Sequence, residues 1–169
     1  MANTFELIAS STVGSGGAAS IDFTSISSTY TDLVVKLSLR NTEDTIIAYV
    51  RFNSSTTNLS FRNLYGAPTS VGSINGASNV TIYGGANASG YTANTFSNVD
   101  IYVPNYAGST NKSLSIDGVS ETDATENYLS ITAGLWSDSA AITSVNIIPG
   151  SAGNFVEYST AYLYGVKNA

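Results

Sequence analysis

The stretch Asp32-Leu33-Val34-Val35-Lys36-Leu37-Ser38-Leu39-Arg40 reads as a β-strand from end to end. Leu33, Val35, Leu37 and Leu39 fall on one side of an extended chain, and Val34, Lys36, Ser38 and Arg40 on the other. A period of two places the first set in a core and leaves the second half-solvated.

Working outward, residues 46–52 repeat the pattern, with Ile46, Ala48, Val50 and Phe52 opposed to Ile47, Tyr49 and Arg51. Asn41-Thr42-Glu43-Asp44 between them reads as a turn, so the two strands are expected to form a hairpin. Residues 96–103 put Val99, Ile101 and Val103 on one face, and Pro104 ends the run because it has no N–H for a ladder. Residues 113–116, 128–135, 141–148 and 155–166 complete the stronger set, with weaker candidates at 5–9, 21–23, 59–64 and 80–83. Separators rich in Gly, Ser and Asn lie at 10–20, 66–78, 84–90, 120–126 and 149–154. No helical period exceeds two turns, and residues 25–30 are the one place for a helical turn. Many short strands between turn signals predict a sandwich or barrel, in one domain over residues 1–169 with a loop-rich excursion at about 66–90. Long loops are commonly functional, so that excursion is a candidate contact arm or a plain surface loop.

Composition narrows function by what it omits. The 169 residues include no Cys and no His, while Ser, Thr, Asn and Gly supply close to half of the chain. That removes the commonest general base, the best nucleophile and the main transition-metal ligands. A Ser-His-Asp or Cys-His arrangement is impossible, and no phosphate loop is present. Charged residues make up 11%, far below the roughly 25% of ordinary soluble domains. A surface with few ions is buried against a neighbour at little desolvation cost. The six basic residues, Lys36, Arg40, Arg51, Arg62, Lys112 and Lys167, are scattered through a chain of net charge −6, so no nucleic-acid partner is expected. No run approaches the roughly 18 apolar residues of a membrane span, and the first residues have no secretory-signal pattern, so no membrane partner is expected either.

The remaining chemistry is thin. Glu121, Asp123 and Glu126 share one loop and supply oxygen ligands of the kind calcium takes, but without the D-x-[DN]-x-[DN]-G spacing; solvated carboxylates are the plainer reading. Neither a cofactor, a metal nor a catalytic residue is expected. A glycosidase needs a carboxylate pair in a frame, and the twelve acids offer no recognisable one. Trp136, with Asp138 two residues on, is the candidate glycan contact, against the alternative that Trp136 is a core or interface anchor. In the last strand Tyr158, Tyr162 and Tyr164 share a face with Val156, Thr160 and Val166, while Phe155, Ala161 and Leu163 take the other. Two apolar faces mean burial within two layers or contact with another subunit, and the three tyrosines are the candidate interface.

Four phrases of the chain resemble a known group. They are Phe23-Thr24-Ser25-Ile26-Ser27-Ser28-Thr29-Tyr30-Thr31-Asp32-Leu33, Val50-Arg51-Phe52-Asn53, Val103-Pro104-Asn105-Tyr106 and the ending Tyr162-Leu163-Tyr164-Gly165-Val166-Lys167-Asn168-Ala169. They are similar to small virion structural proteins of tailed phages, cyanophages among them, of the capsid decoration (cement) type. The resemblance implies an all-β, jelly-roll-like antiparallel β-sandwich, located in the virion after synthesis in the host cytoplasm. It implies a homotrimer whose partner is the major capsid protein, with no catalytic residues to carry over. Related sandwiches occur in tail fibres and baseplates, so the alternative is a carbohydrate- or receptor-binding module there.

Overall fold

The computed structural model describes residues 4–123 and 127–167. Among these residues there is no helix. Twelve strands follow in order: β1 (Phe5–Thr12), β2 (Ile21–Phe23), β3 (Asp32–Ser38), β4 (Ala48–Phe52), β5 (Leu59–Ala67), β6 (Ser70–Gly76), β7 (Val80–Ile82), β8 (Asn98–Pro104), β9 (Lys112–Ser120), β10 (Tyr128–Trp136), β11 (Val145–Pro149) and β12 (Thr160–Val166). They form an eight-stranded sheet in the order β1-β12-β3-β8-β9-β10-β5-β6 and a four-stranded sheet in the order β2-β11-β4-β7. All strand pairs are antiparallel. The result is an all-β, single-domain antiparallel sandwich, whose unequal sheets are compatible with a jelly-roll-like winding.

One core joins the two sheets. From the large sheet Leu33, Val35 and Leu37 of β3, Val99, Ile101 and Val103 of β8, and Leu163 of β12 are all buried. From the small sheet Ala48, Val50 and Phe52 of β4 and Val145 and Ile147 of β11 face them, with no accessible surface. Period-two alternation thus positions the core as the sequence implies.

Three expectations need correction. The runs at 32–40 and 46–52 do not form a hairpin: β3 pairs with β12 and β8, while β4 pairs with β11 and β7 in the other sheet. Each strand has one apolar face, and placing them in opposed sheets buries both faces against each other. Residues 39–47 make the crossing, held by Asn41, whose Nδ2 donates to the carbonyls of Thr45 (2.8 Å) and Ile47 (3.3 Å). Residues 25–30 form no helical turn. Ser25 takes φ 56°, Ile26 inserts into the core, and the Tyr106 hydroxyl donates to the Ser27 carbonyl, so tertiary contacts shape this loop. Finally, the loop-rich stretch 66–90 contains, beside the strand expected at 80–83, which is β7, the end of β5 and the whole of β6. The β5–β6 hairpin closes through Ala67 and Ser70. β6 was illegible because Ser70-Val71-Gly72-Ser73-Ile74-Asn75-Gly76 buries no residue fully and so carries no core-facing period.

Candidate functional site

The small sheet covers the large one on its inner face alone, so the outer face of eight strands has no second layer. Its centre is polar. Lys36 of β3 donates to both carboxylate oxygens of Asp100 of β8 at 2.8 Å, and Asp100 stands directly across the ladder from Asp117 of β9. All three side chains are solvated, and the pair of like charges is tolerable because Lys36 lies beside it.

One end of this face inverts the usual pattern. In β10 the inward residues are Ser130, Thr132 and Gly134, all buried, while Leu129 and Ile131 point outward at 60% and 61% exposure. In β5 Asn63 is buried and Leu64 is 67% exposed. The buried polar groups bond one another and the main chain, with Asn63 Oδ1 left without a partner: Asn63 Nδ2 donates to Thr132 Oγ1 at 2.7 Å, and Ser130 Oγ donates to the Tyr83 carbonyl at 2.6 Å. A strand in a monomeric sandwich puts polar residues out and apolar residues in. Here the ladder places Ile131 opposite Leu64, Leu129 opposite Gly66 and Val119, and Gly66 opposite Val71, so the outward apolar side chains adjoin. With no side chain on Gly66, they border a shallow groove of about 550 Å³.

The other end of the same face is aromatic. Tyr162 and Tyr164 of β12 point outward, with Tyr164 meeting Phe5 of β1 edge-on at a centroid distance of 6.5 Å. Tyr164 stands between Leu7 of β1 on one side and Val34 of β3 on the other. Phe5 and Leu7 are 56% and 52% exposed.

The expected site residues therefore separate. Tyr162 and Tyr164 share this outer face, whereas Tyr158 precedes β12 in a turn at φ 69° and is exposed there. The opposite face of β12 is core, with Ala161 and Leu163 buried, so burial on both sides by the chain itself does not occur. Trp136 is 2% exposed and packs against Phe52, with ring centroids 5.9 Å apart. It lies in the core, and its indole cannot act as a glycan platform; its apolar neighbours in the small sheet claimed it. Asp138 accepts a hydrogen bond from the Ala140 backbone N–H at 2.8 Å, a local turn contact. Glu121 bonds within its own loop by accepting from the Asp123 N–H at 2.8 Å, and Glu126 lies outside the described residues. Among the described residues no three acidic side chains gather where a metal ion would sit.

Sequence reading missed the aliphatic end, although the alternation Leu129-Ser130-Ile131-Thr132 was visible; nothing local says which of the two sets faces the core. Burial pushes the Lys112 ammonium below its ordinary value, an effect that nearby Asp138 partly offsets. Lys112 donates to the Thr110 carbonyl at 2.5 Å and is a buried structural group. The arrangement presents two apolar patches flanking a charged strip on an open sheet face. No family model, no curated protein and no solved structure matches this chain.

Proposed function

We propose that this chain is a non-enzymatic structural protein of a tailed-phage virion, a capsid decoration (cement) protein that binds the assembled shell of the major capsid protein as a homotrimer. The observation that carries the reading is the inverted patterning of β5 and β10, whose polar residues face the core while Leu64, Leu129 and Ile131 face outward. Such a sheet gains from being covered, and its low charge makes covering cheap. The resemblance of its phrases to those of phage virion proteins supplies the setting. Multivalent attachment to a repeating lattice turns contacts of modest area into durable ones. The rival, a glycan-binding module of a tail fibre, loses the aromatic platform it rested on, because Trp136 is in the core.

A decoration protein binds only the intact lattice, so it stabilises that state by mass action. Particles lacking it assemble with normal shape and lose DNA at lower temperature, and purified protein restores them. Particles that are equally robust without it, yet fail to adsorb to host cells, would overturn the capsid role in favour of the tail fibre.

A further inference from the structure

We infer that copies of this chain associate head to tail, the aliphatic patch of β5, β6 and β10 on one copy covering the aromatic patch of β1 and β12 on the next. The inference rests on the assembly role just proposed and names the surfaces that carry it. Its occupant is a second copy, for three reasons.

The first is supply. Each chain bears two apolar patches at opposite ends of one sheet face, set apart by the Lys36–Asp100–Asp117 strip. A two-fold contact of the aliphatic patch with itself leaves every aromatic patch in water. A head-to-tail contact buries both kinds, and a closed ring leaves neither exposed. The second is area. Val71 is 88% exposed and Leu64, Leu129 and Ile131 at least 60%, which leaves an aliphatic surface on the order of 500 Å², near the upper limit for a monomer. Phe5, Leu7, Tyr162 and Tyr164 add on the order of 400 Å² at the other end, and a polar rim around the two brings the contact to the roughly 1,200–2,000 Å² of a specific interface. The third is shape and polarity. Val71 stands beside the bare backbone of Gly66, so the aliphatic patch has a ridge and a groove that planar rings fill. Arg62, two residues from Leu64, and Lys36, across the ladder from Tyr162, are the charged side chains that border the patches; both stand at the edges, so the apolar centres meet with few ions stripped of water.

The test is a mixing experiment on the full chain. Wild-type protein should scatter light at three times the chain mass of 17.5 kDa. The double variant Leu64→Lys/Ile131→Lys loses the aliphatic patch, and Phe5→Lys/Leu7→Lys loses the aromatic one. Each alone should fall to the monomer mass while keeping a β-sheet spectrum; serine replaces lysine where the spectrum changes. Mixed in equal amounts, the two variants should form a heterodimer, because one intact patch of each kind remains available. If the Phe5/Leu7 variant still self-associates through its intact aliphatic patch, or if wild type stays monomeric at millimolar concentration, the inference is wrong. Its failure is distinguishable from failure of the cement reading. Masses that behave as described beside particles indifferent to the protein would sink only the cement role, and particles rescued by a protein whose variants ignore these rules would sink only the ring.

Discussion

The ring of Tyr30 occupies the space over Gly165 of β12 into which any Cβ would project. Gly165 is therefore required by close approach, its neighbour being an aromatic side chain that packs against the core. Gly165→Ala should lower stability by about 1–3 kcal/mol, the usual cost of overpacking. The same substitution made in a Tyr30→Ala background should cost much less, since the obstructing ring is gone. Equal losses in the two backgrounds, measured by denaturant unfolding, would show that Tyr30 is not the cause.

Arg40 holds the segment 89–95 by its guanidinium. It donates to the carbonyls of Ser89 (3.0 Å), Tyr91 (3.0 Å), Thr92 (2.9 Å) and Thr95 (3.2 Å). A planar fork reaches four acceptors at once, and an ammonium does not. Arg40→Lys should cost about 1.5–3 kcal/mol, the range for hydrogen bonds to a charged group. Amide exchange should rise across 88–96 and stay unchanged in β3, where the core holds the strand independently. Uniform loss of protection would contradict this local role.

Trp136 and Asp138 should behave as structural residues. Trp136→Ala removes a fully buried indole and should cost about 3–5 kcal/mol. Asp138→Ala removes only a turn contact and should cost about 1 kcal/mol or less. Neither change should alter retention on immobilised glycans once the protein is folded. Selective loss of glycan binding in Asp138→Ala with an unchanged melting temperature would revive the tail-fibre alternative.

The two ends of the described chain are tied by Glu6 and Lys167. Lys167 donates to Glu6 Oε2 at 2.8 Å and the Tyr30 hydroxyl donates to Oε1 at 3.1 Å. The Lys167 bond first, and the Tyr30 bond second, hold the Glu6 carboxyl below the ordinary 4.5, and the Glu6 bond raises Lys167 above 10.5. A lowered carboxyl contributes stability that is complete above 4.5 and lost as pH falls through its folded value; a raised amine contributes stability complete below 10.5 and lost as pH rises through its own. The melting temperature of wild type should therefore exceed that of Glu6→Gln near neutrality, by a small margin that salt reduces because both groups are half-exposed. The margin should vanish in strong acid. A margin that persists there would mean Glu6 acts through packing.

The core was legible because Leu33, Val35, Leu37 and Leu39 announce their own face, as do Val99, Ile101 and Val103. Pairing partners were less so. The turn-like Asn41-Thr42-Glu43-Asp44 suggested adjacency, but a chain can cross between sheets through polar residues as readily as it reverses within one. β6 escaped notice for want of any buried residue. Of the three tyrosines read as one face, Tyr162 and Tyr164 do share the outer face of β12, because alternation within a strand is visible in sequence; Tyr158 does not, because the turn that precedes the strand breaks the alternation. The aliphatic patch was not, because Ser130, Thr132 and Asn63 are buried through hydrogen bonds between strands far apart in sequence, and composition cannot report those partners.

Arg40 grips residues 89–95 almost wholly by main-chain oxygens. Anchorage of that kind is blind to the identity of the side chains it holds, Thr95 excepted, whose hydroxyl also bonds the guanidinium. An exposed position such as Ala93 is thereby released from the duty of keeping the loop in place, and the segment is a natural point at which foreign peptide sequence is displayed on this scaffold without refolding it.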